Sequence, residues 1–126
     1  MHRSRLAGLI IDCETDDLDA AAAFWGAALG AAPKGVAKLD ESPYVELLMP
    51  EDENYVEVQA VDHRSRVHLD IESDDIEAEV KRLEALGAKR IADIKSWCVM
   101  EAPTGQRFCI VPVVSAGFDR KANTWQ

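Results

Sequence analysis

Cysteine is scarce in this chain, and what there is forms no framework. Cys13, Cys98 and Cys109 are odd in number and lie in strand-like segments without the spacing of a zinc knuckle. They read as reduced, mostly buried thiols. Positive charge is also short, with 14 Lys and Arg against 23 Asp and Glu and a formal charge of −9. Holding a nucleic-acid backbone needs the opposite balance, so a general nucleic-acid binder is excluded. No apolar run approaches the roughly 20 residues that span a bilayer, so no membrane partner is expected. The first residues, MHRSRLAG, carry two arginines but lack the apolar core of a signal peptide, and a cytoplasmic location is the expectation. There is no glycine-rich phosphate cradle and no dinucleotide fingerprint.

What the chain does have is an internal echo. Residues Ile11 to Ala31 read IDCETDDLDAAAAFWGAALGA, and His68 to Lys89 read HLDIESDDIEAEVKRLEALGAK. Laying Ile11 on Leu69 puts Asp12 on Asp70, Glu14 on Glu72, Thr15 on Ser73 and Leu18 on Ile76. After a one-residue slip, Leu29-Gly30 meets Leu86-Gly87. A match that covers a strand, an acidic turn and a helix end together implies duplication. Asp16 with Asp19, and Asp74 with Glu77, have capping-box spacing, and each acidic cluster sits at the positive end of a helix dipole. DDLD and DDIE therefore read as caps rather than metal ligands, and neither has the spaced oxygens of a calcium loop. Leu18, Ala22, Trp25 and Leu29 share one helix face, as do Ile76, Val80 and Leu83. Of Phe24 and Trp25, one is expected to face a sheet.

In chain order, Met1 to Arg5 reads as a loose end. A strand over Leu6 to Cys13 is interrupted by Gly8, and a helix follows over Asp17 to Ala28. Strands are expected at Val36 to Leu39, at Tyr44 to Leu48 and at Tyr55 to Val61. After a short charged link, the second copy gives a strand at Val67 to Glu72 and a helix at Asp75 to Leu86. Strands at Lys89 to Ile94, Trp97 to Glu101 and Arg107 to Val113 complete it, with a turn at Ala102 to Gly105. The expected fold class is α+β: two tandem βαβββ modules, residues 6–61 and 67–113, whose curved mixed sheets form a shared cleft. They make one domain over residues 6–113, followed by a tail at 114–126 carrying Phe118 and Trp125.

DLDAAAAFWGAALG, VHLDI with DDIEAEVKRLEALGA, and the closing APTGQRFCIVP together resemble the glyoxalase, bleomycin-resistance and dioxygenase group, the vicinal oxygen chelate superfamily. The resemblance runs from Leu6 to Val113 and is nearest to its glyoxalase-like domain branch. The metal enzymes of that group place four ligands on four strands, the first and last of each half. His68 matches the first-strand histidine of the second half, and Cys109 falls on its last-strand acidic position. The first half offers Ile10 where a ligand is implied, and Glu57 to Gln59 for its acidic position. With Ile10 and Cys109 in those places, the expectation is no metal and no other cofactor, the alternative implied by the resemblance being zinc on His68, Cys109 and Glu57 or Gln59 with a fourth position open.

Strand alternation puts His68, Asp70 and Glu72 on one face and Val67, Leu69 and Ile71 on the other. The apolar face is expected to meet the second helix, which turns His68 and Asp70 toward the cleft. Ile10 and Asp12 take the equivalent places in the first half, with Ile11 and Cys13 against its helix. His68, Asp70 and Asp12 are the candidate catalytic residues, as base or acid or as binders of a polar group. The two aspartates equally suit hydrogen bonds that tie each strand to its neighbours. His68, Gln59, Trp97, Met100 and Cys109 are candidate ligand-binding residues; Trp97 and Met100 lie on opposite strand faces, so one of them belongs to the core. The first reading is a metal-free protein that binds a small organic molecule. The second is a small lyase or isomerase using His68 and nearby acids, and the third an interaction module. A homodimer is expected, with Leu47, Val56, Val111, Phe118 and Trp125 supplying apolar surface.

Overall fold

A computed structural model describes residues 1–34 and 43–126. The strand expected at Val36 to Leu39 lies outside the described residues. The chain is α+β and divides into two compact units, one of Gly8–Val67 and the other of Met1–Ala7 with His68–Gln126.

The first unit is built on the longer part of strand β1 (His2–Glu14), which leads into helix α1 (Leu18–Leu29). Strands β2 (Pro33–Lys34), β3 (Tyr44–Leu47) and β4 (Tyr55–Val61) follow. The order is β2-β3-β4-β1, antiparallel except for the parallel pair β1–β4. Leu18 and Ala22 of α1 bury against Ile11, Val45, Leu47, Val56 and Val58, with Trp25 and Cys13 packed at the side. Phe24 and Leu29 are exposed. Trp25 is thus the aromatic that meets the sheet, and Leu29 leaves the expected stripe because the helix ends there. Gly30 stops the helix with φ 70°, a left-handed conformation that suits glycine. Gly8 interrupts the strand for a local reason: a Cβ there would stand 2.6 Å from the Tyr55 carbonyl oxygen on the neighbouring strand.

The second unit repeats this plan. It contains β5 (Arg66–Ser73) from His68 onward, helix α2 (Ile76–Ala85), and strands β6 (Lys89–Ile94), β7 (Trp97–Glu101) and β8 (Arg107–Pro112). The order is β6-β7-β8-β5, again with one parallel pair, β5–β8. Val80 is fully buried with Cys98, Met100, Phe108 and Ile110, and Ile71, Ile76 and Leu83 close the cluster. Of the apolar face of β5, only Ile71 joins this core; Val67 and Leu69 are exposed.

Both helices are capped one residue later than the spacing suggests. The side chains of Asp17 and Asp75 accept from the Ala20 and Ala78 amides at 3.0 Å, while Asp74 accepts the Arg3 amide at 2.8 Å.

The ends of the chain are not loose. Short helix α3 (Phe118–Lys121) leads to strand β9 (Asn123–Trp125), which pairs antiparallel with His2–Ser4 of β1. Two buried carboxylates fasten these segments. Glu79 accepts from His2 Nε2 and Ser4 Oγ at 2.7 Å and from Arg82 at 2.8 and 2.9 Å. Glu72 accepts from Arg5 and from the Val114 and Ser115 amides. Trp125 Nε1 donates to Ser4 Oγ at 2.8 Å beneath the Arg82 guanidinium. Burial alone would raise the Glu79 carboxyl, but the bonds from Arg82, Ser4 and His2, with the Arg82 charge, hold it at about 2.

Candidate functional site

Side chains two apart on a strand share a face, and a parallel ladder sets which neighbour stands beside them. On β5 these rules turn His68 and Asp70 away from α2. The β5–β8 register then places Cys109 directly beside Asp70. His68 Nε2 lies 3.6 Å from Asp70 Oδ1. A ring nitrogen of His68, a carboxylate oxygen of Asp70 and Cys109 Sγ all fall within 4.8 Å of one another. Asp70 is buried, and His68 and Cys109 are half-buried. This spacing suits a shared proton, a shared polar ligand or a shared cation.

The β7–β8 ladder pairs Val99 with Cys109, so Trp97, two residues along, belongs to the same face. Met100 does not. It is fully buried on the α2 side with Cys98 and Ile110, and the expectation that it binds ligand gives way to a core role. The three cysteines differ accordingly. Burial pushes the Cys98 thiol up to about 11, helped by its hydrogen bond with Asp93, and burial also raises Cys13.

In the first unit, Asp12 and Gln59 are register partners across β1 and β4, and Tyr44 is the partner of Gln59 on β3. Asp12 is buried, and Arg66 Nε approaches its Oδ2 at 3.9 Å. Glu57 sits beside Ile10 and shares its face with Gln59, so alternation leaves both on the polar side. Ile10 is a buried apolar side chain and offers no donor. The four-ligand metal set implied by the resemblance therefore does not fit this chain.

Sequence reasoning set His68 and Asp70 on one strand face and matched His68 and Cys109 to implied ligand places, but it did not bring Cys109 beside Asp70, because it fixed faces and not cross-strand register. It also missed Arg66, whose charge approaches Asp12.

Among the described residues no helix is long and apolar enough to cross a membrane. A family model described as Glyoxalase-like domain matches residues 8–111. A comparison with curated proteins finds no match. Among solved structures, a hypothetical protein from Bacillus halodurans is similar with a TM-score of 0.68 and 12% identity, over 88% of this chain and 95% of that one. Methylmalonyl-CoA epimerase from Mycobacterium tuberculosis gives 0.65 at 14% identity, over 86% and 88%. A Streptomyces coelicolor methylmalonyl-CoA epimerase variant in complex with 2-nitronate-propionyl-CoA gives 0.59 at 13%, over 89% and 97%. Identities this low speak for a shared fold alone.

Proposed function

The chain belongs to the glyoxalase-like domain family of the vicinal oxygen chelate superfamily, and on that premise we propose that it binds a small organic molecule on the polar strand face of its second half. The observation that carries this reading is the convergence of His68, Asp70 and Cys109 on one face of β5 and β8. His68 offers a donor or an acceptor, Asp70 accepts, and Trp97 on the same face offers a flat apolar surface. Recognition by these groups asks for no metal. A cytoplasmic homodimer completes the proposal.

A second reading, a small lyase or isomerase, is favoured by the 3.6 Å approach of Asp70 to the His68 ring. A carboxylate in that place orients an imidazole and supports its charge when it takes a proton from a substrate.

Binding is tested by amide NMR of the isotopically labelled protein against a library of small polar fragments, in buffer containing EDTA. Binders are expected to shift the amides of His68, Asp70, Trp97 and Cys109, and to lose at least about tenfold in affinity in His68→Ala, as removal of a charge-assisted hydrogen bond implies. Binders that shift only other regions, or that ignore the substitution, would remove this reading.

A further inference from the structure

We infer, resting on the ligand-binding reading of the polar face of β5 and β8, that Arg107 is the anion-recognising residue of that face and that its ligand is an organic carboxylate with a flat apolar tail. Arg107, Cys109 and Val111 alternate onto the face of β8 that turns away from α2, since Phe108 and Ile110 between them are buried in the α2 core. One step before the Leu69–Phe108 pair, His68 on β5 comes level with Arg107. On its other side Arg107 is the register partner of Glu101 on β7, and Glu101 is the partner of Lys89 on β6. The row across the sheet therefore reads His68, Arg107, Glu101, Lys89, which sets two full positive charges and an imidazole against one carboxylate. In a chain with a formal charge of −9, this local surplus runs against the overall composition.

The half-buried Arg107 side chain makes no ion pair and no hydrogen bond among the described residues, although Glu101 stands beside it. By contrast, Arg3, Arg5, Arg82 and Arg90 of the same unit each have a carboxylate partner. A guanidinium sheltered on a strand face without such a partner keeps its paired N–H donors open to a carboxylate, which it meets bidentately. His68 beside it supplies a ring nitrogen. Two acids on the same face are already engaged: Glu72 accepts from Arg5 and from the Val114 and Ser115 amides, and Asp70 stands 3.6 Å from the His68 ring.

Away from Arg107, the β7–β8 side of the face becomes apolar. Cys109 comes next with its register partner Val99, then Val111 with Trp97, which lies one step past the Cys98–Ile110 pair. The rows of Arg107 and Val111 are roughly 13 Å apart at about 3.3 Å per residue. A guanidinium at one end and an indole at the other select an elongated carboxylate whose tail lies over Cys109, Val99 and Val111.

The test titrates isotopically labelled protein, in EDTA, with phenylacetate, phenylpropanoate and phenylbutanoate, each beside its uncharged carboxamide. The carboxylates are expected to shift the backbone signals of His68, Arg107 and Cys109, and to bind at least about tenfold more tightly than the carboxamides. Arg107→Gln should abolish that preference, with circular dichroism showing the variant folded, and Arg107→Lys should keep part of it, since charge remains but the fork is lost. Arg64→Gln, an equal loss of charge at an exposed position in the other unit, should keep all of it. Carboxylates that fail to bind, that bind no better than their carboxamides, or that keep their preference in Arg107→Gln would overturn the inference. Carboxamides that in that event still shift His68 and Asp70 would leave the ligand-binding reading standing.

Discussion

Glu79 shows how much a single side chain holds in this molecule. Its carboxylate is fully buried, yet it gathers the first strand, its own helix and, through Ser4, the indole of Trp125. Removing one partner of a buried ion pair leaves the other charge uncompensated, so Glu79→Gln should cost roughly 2 to 4 kcal/mol in urea unfolding; a loss well under 1 kcal/mol would contradict the assignment. The pH dependence follows from the direction of the shift. The folded carboxyl is held at about 2, below its ordinary 4.5. Its contribution is therefore complete above the ordinary value and is lost as pH falls from there toward the folded one. Wild-type stability should fall over that window, and Glu79→Gln should fall less steeply. Glu72 is shifted in the same direction: burial opposes the shift, and bonds from the Val114 and Ser115 amides, Ser115 Oγ and Arg5 outweigh it. None of this was legible in the sequence, where Glu79 is one of many helix acids. The caps were nearly legible, but Asp16-Asp17 and Asp74-Asp75 each offer two acids in a row, and only backbone geometry shows that the second one caps.

At the scale of elements, the repeat was readable because helix and strand periods differ and both copies keep them. The two helices and the inner strands fall close to their expected ranges. The ends were not readable. HRSR looks polar and loose, yet it forms the start of β1, because its side chains meet buried carboxylates and its backbone meets β9. Such partners are distant in the chain and leave no local pattern. Trp125→Ala removes the indole bond to Ser4 and the surface under Arg82. Hydrogen–deuterium exchange should then quicken at His2 to Ser4 and Asn123 to Trp125 while α1 stays protected. Unchanged exchange at these segments would show that β9 is held without the indole.

For the whole molecule, the α+β class and the family were legible because three separate motifs agreed along the chain. The apolar surface expected to support a dimer was misjudged in part. Leu47, Val56 and Phe118 are core, since alternation turns the first two toward α1 and α3 turns the third inward. Other apolar side chains are exposed, among them Phe24, Leu48, Leu86 and Val114. Sedimentation at micromolar concentration should therefore give twice the 13.9 kDa chain mass, and a single species at chain mass would reject the homodimer. The candidate site was legible as separate residues on a polar face; its closure depends on the Asp70–Cys109 register, which no local signal specifies. The most direct measurement of the central claim is a high-resolution crystal structure of the protein soaked with a fragment that it binds in EDTA. The account predicts density for the fragment in contact with His68 and Asp70, beside Cys109. A fragment seated elsewhere, with those side chains in contact only with protein and water, would contradict it.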